Sequence, residues 1–361
     1  MKLVTLSPIS KENHHKEVPW IVNMNFSKKF LFVRKTQMKR SKVDYSTNHR
    51  QNVCFLTLKV LQESKTCSRS VELCQVGFFH QEKNEIQLTE NKLVIKVFDI
   101  RNEKNRNAAQ GELFIHHEIT ALRNLRLLPL FTWTYSDCGN YLYAIYPYLE
   151  NGDLFSFVSS TQSKTLSEHY VKQVFHGMAS AVQLCHENGI CHRDISLENF
   201  LFGDNTKSFP VLIDFGLSIQ MNPTFQINHT GPVGKVGYMA PELWIQPSKL
   251  KTYDGRKVDS WSLGVVLFIL VTRMEPWKKA DSSEAFFQKI VLEKDLKTVM
   301  NQFSCNNYSP LLTDLLQCIL NSDPNERPCV FQILQHPWFS ITDEFLGEEN
   351  LFVKRVRISS N

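Results

Sequence analysis

Strand-like patterns come first in this 361-residue chain and helical patterns later. That order predicts an α+β fold of two lobes with a cleft between them. Three segments carry the prediction. Leu93-Val94-Ile95-Lys96-Val97-Phe98 is an apolar run broken by one lysine, as a buried strand would be. Tyr170–Cys185 sets Val171, Val174, Phe175, Met178, Ala181, Val182 and Cys185 at helical spacing. Val258–Thr272 is apolar on nearly every side, which predicts a helix buried all round.

The remaining elements follow in chain order. The first 70 residues are basic and strand-leaning, with 14 Lys and Arg against 4 Asp and Glu. Trp20, Val22, Met24 and Phe26 alternate, as do Phe30 and Phe32, and Val53–Val60 is a further strand-like run. Strand, turn and strand fill Ser70–Ile100. A helix is predicted over Gly111–Leu125, with Leu113, Phe114, Glu118, Leu122 and Leu125 stepping at three and four. Tyr141–Tyr148 is an aromatic strand ended by Glu150-Asn151-Gly152-Asp153. Ser167 caps the helix over Tyr170–Cys185, and Asn188-Gly189 ends it. Pro310–Leu320 and Cys329–His336 are shorter helices. The chain thus divides into an N-terminal extension (1–69), a main domain (70–340) and a tail (341–361).

With 42% hydrophobic and 21% charged residues, the composition is that of an ordinary globular protein and excludes a disordered one. Nine cysteines without a C-x-x-C pair argue against a zinc site and for free thiols in a reducing compartment. The longest apolar stretch, Leu263–Val271, is far short of the about 20 residues a membrane span needs. Met1–Leu6 is too short an apolar run for a secretory signal. An intracellular, cytoplasmic location without a transmembrane segment is the expectation. Ser27–Lys42 carries Lys28, Lys29, Arg34, Lys35, Lys39, Arg40 and Lys42 and no acid. It is either a solvated surface or a docking site for an anionic partner such as lipid or nucleic acid.

The chemistry concentrates in His192-Arg193-Asp194-Ile195-Ser196-Leu197-Glu198-Asn199 and in Asp214-Phe215-Gly216. One acid, an asparagine and a second acid can hold metal ions and accept a proton, as phosphoryl transfer from a nucleotide demands. Upstream, Lys96 lies in mid-strand, where an ammonium is costly unless paired. Glu118 on the following helix is the natural partner, although in isolation such a pair would be a surface contact.

These segments resemble, in order, the motifs of protein kinases of the Ser/Thr type, across about residues 70–340. Gly237-Tyr238-Met239-Ala240-Pro241-Glu242 resembles the end of an activation segment, with Arg327 as the partner of Glu242. Asp259-Ser260-Trp261-Ser262-Leu263-Gly264 resembles the start of the central helix, where Asp259 would bind the catalytic-loop backbone. The resemblance implies ATP and Mg²⁺ as cofactors and proteins as substrates. Lys96 and Glu118 would serve the α/β-phosphates, Asp194 would accept the proton, and Asn199 and Asp214 would hold metal. Phe215 would pack inward. Val94, Tyr146, Pro147, Leu149 and Leu201 would surround the adenine, though Tyr146 and Leu201 read equally as core residues.

The chain also departs from the family. Gly77, in Gln75-Val76-Gly77-Phe78-Phe79-His80, is the one glycine left where a phosphate-cradling G-x-G-x-x-G is expected. Ser196 stands where a lysine usually touches the γ-phosphate, and Lys235 where a threonine is usual. A swap is the expectation here, with Lys235 reaching Asp194 to restore the charge, against a plain solvent-facing lysine. Arg193 would read a phosphorylated Ser218, Thr224 or Thr230. A pseudokinase, binding nucleotide or partner with little catalysis, is the alternative motivated by the poor glycine loop and Ser196.

Overall fold

The computed structural model describes residues 30–33, 52–64, 69–80, 85–136, 138–163, 165–303 and 308–340. The alternation over Trp20–Phe26, most of the basic stretch Ser27–Lys42 and the tail 341–361 lie outside the described residues. Two compact units emerge, Met1–Arg123 with Leu128–Glu150, and Asn124–Leu127 with Asn151–Asn361.

The first unit is a six-stranded sheet and one long helix. Strands β1 (Phe30–Val33), β2 (Asn52–Ser64), β3 (Arg69–His80), β4 (Glu85–Asp99), β5 (Thr132–Tyr135) and β6 (Tyr141–Pro147) order themselves β1-β2-β3-β4-β6-β5. Among the described strands of this sheet, the β1–β2 pair is parallel and the others are antiparallel. The strand expected at Leu93–Phe98 is the second half of β4. Its odd positions, Leu93, Ile95 and Val97, pack with Phe55, Cys74, Val76 and Ile145 on one face. Period-two alternation then sends Lys96 to the opposite face. The boundary expected at residue 69 falls inside the β2–β3 hairpin, so β2 belongs to the sheet that carries Lys96.

Helix α1 runs over Glu103–Ala121, with Asn102 capping its N-terminus by accepting from the amide of Asn105. It starts eight residues before the expected Gly111. Asn102 is a good cap, and Gly111 is tolerated in the helix interior at a cost of about 1 kcal/mol. The earlier start changes which stripe is buried. Ala109, Glu112, His116 and Ile119 face inward at spacings of three and four, while Phe114 and Glu118 face solvent.

The second unit is mainly helical. Helix α2 (Leu154–Ser160) is capped by Asp153, α3 (Glu168–Glu187) by Ser167, and α4 (Gly255–Thr272) by Asp254. Every apolar residue assigned to the inner face of α3 is fully buried, and so is nearly all of α4. Shorter helices cover Pro310–Ile319 and Val330–Leu334, as the pattern predicts to within two residues at each end. A two-residue strand, Ile190–Cys191, and a small hairpin of Phe200–Phe202 with Pro210–Leu212 bracket the His192–Asn199 loop.

Candidate active site

The His192–Asn199 loop is held from below by one buried carboxylate. Asp259, fully buried near the start of α4, accepts from the amide of Arg193 through Oδ1 at 2.8 Å. Its Oδ2 accepts from the amide of His192 at 2.8 Å and from Nε2 of His186 at 2.9 Å. Burial alone would raise its pKa. The His186 hydrogen bond and the charges of His186 and His192 outweigh that and hold it below the ordinary carboxylate value. Arg193 takes the left-handed conformation, φ 64°, a strained choice for a non-glycine residue that these two amide contacts hold in place. The expected role of Asp259 is therefore seen in the geometry.

Above that clamp the chemistry assembles. His192 donates from Nε2 to the carbonyl of Ile213 at 3.1 Å, and its ring meets Phe215 edge-on at 5.0 Å. Phe215 is fully buried, as expected, and positions its neighbour Asp214. Asp214 also lies in the left-handed region, φ 57°, and accepts from the amide of Gly216 at 3.2 Å. The Asn199 amide donates to the carbonyl of Asp194 at 2.7 Å and to its Oδ2 at 3.0 Å. Asn199 thereby turns its Oδ1 away from Asp194. Burial raises the Asp194 pKa above the ordinary value and Asp214 adds to the shift, while His192, Asn199 and the amide of Lys235 hold it back. A raised pKa makes this carboxylate a better proton acceptor.

Lys235 contacts Asp194, but through its backbone. Its amide donates to Asp194 Oδ1 at 3.0 Å. The side chain turns elsewhere, pairing with Glu198 beside the rings of Tyr238 and Phe155 at 5.1 and 5.5 Å. The expected charge swap is not made: the ammonium does not pair with Asp194, and Ser196 stays buried without it. Gly234 explains the close approach of the two segments. It has φ +106°, and a Cβ there would stand 2.5 Å from the carbonyl oxygen of Arg193. Glu242 and Arg327 pair as expected, in bidentate fashion at 2.7 and 3.0 Å, both buried. Leu201 is half-buried in its short strand.

In the first unit Lys96 finds its carboxylate, and it is not Glu118. Its Nζ lies 2.5 Å from Glu112 Oε1, both side chains being buried. Glu118 is exposed and lies 3.5 Å from His117. The sequence reading missed Glu112 because it started the helix at Gly111, which hid the stripe Ala109, Glu112, His116 and Ile119. Register places Val94 beside Tyr146, Lys96 beside Ala144 and Leu93 beside Pro147. Tyr146 is buried against the ring of His116 at 4.9 Å, and Leu149 is buried.

Gly77 is also displaced from its expected role. It lies inside β3, paired with Cys54 and Leu88, six positions beyond Val71, the residue beside Lys96. At about 3.3 Å per residue that is roughly 20 Å along the strand. Residues 65–68 join β2 to β3 in the chain. Those four lie outside the described residues, and none of them is glycine. Among the described residues no group of three His, Cys, Asp or Glu side chains forms a metal cluster, and no helix is long and apolar enough to cross a membrane.

The chain is similar to calcium-dependent protein kinase 21 of Oryza sativa subsp. japonica, 34% identical over 195 residues, which are 54% of this chain and 32% of that one. It is similar to CBL-interacting serine/threonine-protein kinase 13 of Arabidopsis thaliana, 32% identical over 203 residues, 55% and 36% of the two chains. It is also similar to the human SNF-related serine/threonine-protein kinase, 30% identical over 257 residues, 71% and 31% of the two chains. The chain thus spans about a third of the length of these relatives. Residues 82–339 match the protein kinase domain, and the chain belongs to the protein kinase family.

Proposed function

We propose that this chain transfers the γ-phosphate of ATP to Ser or Thr hydroxyls of protein substrates. The observation that carries the reading is the Asp194–Asn199 arrangement on a loop anchored by Asp259. Asp194 orients the substrate hydroxyl and takes its proton. Lys96, steadied by Glu112, serves the α/β-phosphates, and Val94, Tyr146, Pro147 and Leu149 contact the adenine. Asn199 and Asp214 fit a magnesium ion, since an amide carbonyl and a carboxylate are the hard oxygen donors it takes, and Asn199 has its nitrogen already engaged with Asp194. When bound, the ion neutralises phosphate charge. Glu198-Asn199 and Gly237–Glu242 support Ser/Thr over Tyr as the acceptor.

The kinase domain on this reading runs from β2 to Ser340. A cytoplasmic location is consistent with Cys74, Cys138, Cys185, Cys191, Cys318 and Cys329 all being free thiols. The basic stretch remains a candidate anionic-partner site, to be tested by vesicle and oligonucleotide binding at low salt. The decisive test is labelled ATP with Mg²⁺ and a generic protein substrate, wild type beside Asp194→Asn. Loss of about 10²- to 10⁴-fold in phosphate transfer is expected for the variant. Equal incorporation by both proteins would move the chain to the pseudokinase reading.

A further inference from the structure

The side chain of Lys235 turns away from Asp194 into a seat for a cation. Its ammonium pairs with Glu198 and lies over two aromatic rings, 5.1 Å from the centre of Tyr238 and 5.5 Å from that of Phe155. A carboxylate flanked by aromatic faces is a favourable place for an ammonium or guanidinium group. Here the chain fills it with its own lysine. The position matters because the amide of the same residue donates to Asp194 Oδ1 at 3.0 Å. The caged charge therefore stands one side-chain length from the proton acceptor. It is also within reach of a peptide, since the Lys235 side chain is 43% exposed and that of Glu198 35%. Phe155 and Tyr238 line a cavity of about 390 Å³ as well, with Leu197, Ile269, Arg273 and Glu275 around it. Arg273 donates to the carbonyls of Val158, Thr161 and Ser163 and keeps its charge. Among these side chains the cations Lys235 and Arg273 balance Glu198 and Glu275, so no net charge is left to draw in a third cation.

We propose that Lys235 is a specificity-determining residue whose ammonium excludes protein substrates carrying Lys or Arg beside the phosphoacceptor Ser or Thr. The inference rests on the kinase reading above and deepens it. A hydroxyl held at Asp194 brings its neighbours close, since an extended peptide advances about 3.3 Å per residue. A cationic neighbour meets a like charge already in the cage and finds Glu198 engaged. An uncharged one meets the two rings, Leu197 and Ile269. Specificity then comes from a repulsive contact against the wrong partner. Without the ammonium, Glu198 and the rings favour the side chain they now exclude.

The test is steady-state phosphorylation of serine peptides that differ at one position within three residues of the acceptor, carrying there either Arg or the uncharged, similarly long Met. The readout is the ratio of kcat/KM for the Arg peptide to that for its Met partner. For wild type the ratio is expected to be about one tenth at one position or more, the scale of like charges a few ångströms apart near a protein surface. Lys235→Ala is expected to raise that ratio about tenfold or more, and Lys235→Arg to keep it low. Lys235→Ala combined with Glu198→Gln is expected to cancel the gain. A wild type that accepts Arg as well as Met at every position would overturn the proposal and leave the kinase reading intact. So would a Lys235→Ala variant whose ratios match wild type, including one slowed equally on all peptides. Absence of phosphate transfer from wild type to any peptide would overturn both.

Discussion

Lys96–Glu112 and Lys235–Glu198 are the same pair of side chains in two settings. The first is sealed in the N-terminal unit, with exposures of 7% and 3%, and the second stands open at 43% and 35%. A buried ammonium has one acceptable state, which is paired, so burial dictates the contact. An exposed ammonium has water as an alternative, and its partner carries little energy. The inference from sequence that Lys96 must be paired was therefore secure, whereas the choice of Asp194 as the partner of Lys235 was not. Glu242–Arg327 marks the buried extreme, with exposures of 5% and 0% and two hydrogen bonds.

The largest effect belongs to that extreme. Arg327→Ala strands Glu242 in the core and takes away the cation over the Trp261 ring, 4.9 Å from its centroid. A loss of about 3–5 kcal/mol in urea unfolding is expected, the usual result of removing one partner of a buried pair. A loss below about 1 kcal/mol would show that burial does not rank these pairs. Next comes the contrast within helix α1. Glu112→Gln removes the charge that holds Lys96 and is expected to lower kcat/KM about ten- to a hundredfold. Glu118→Gln is expected to leave it within about twofold, as for an exposed side chain. Steady-state kinetics with the two variants reversed in order would break the assignment.

The legible parts of the chain were those where one strong pattern had a single solution. The inner face of α3, the all-round burial of α4, the cap at Ser167 and the loop from His192 to Asn199 each follow from local residues and appear in the structure. What was hidden depended on phase or on distant register. Gly111 made α1 look shorter than it is, and the eight missed residues, about two turns, exchanged the roles of Glu112 and Glu118. The lengths of β3 and β4 set Gly77 six positions along the strand from Val71, the residue beside Lys96, which no local pattern reported. The 3.8 Å approach of Arg69 to Glu112 carried no signal either, because it arises only from the strand pairing.

The smallest effect is expected at Lys235, and it separates side chain from backbone. Lys235→Ala removes an exposed ion pair with Glu198, so unfolding free energy is expected to drop by less than about 1 kcal/mol, and by less still at high salt. Because the Asp194 contact runs through the amide, this variant keeps it, and kcat is expected to stay within about threefold of wild type. Lys235→Pro does the reverse. The residue already has φ −80° and ψ 125°, close to what proline allows, so the substitution deletes the N–H with little backbone change. Asp194 Oδ1 then loses its 3.0 Å donor, and kcat is expected to fall about tenfold, as for a hydrogen bond to a charged group. If alanine proves as damaging as proline, the ammonium acts in catalysis after all, and the exposed pair has to be counted with the buried one.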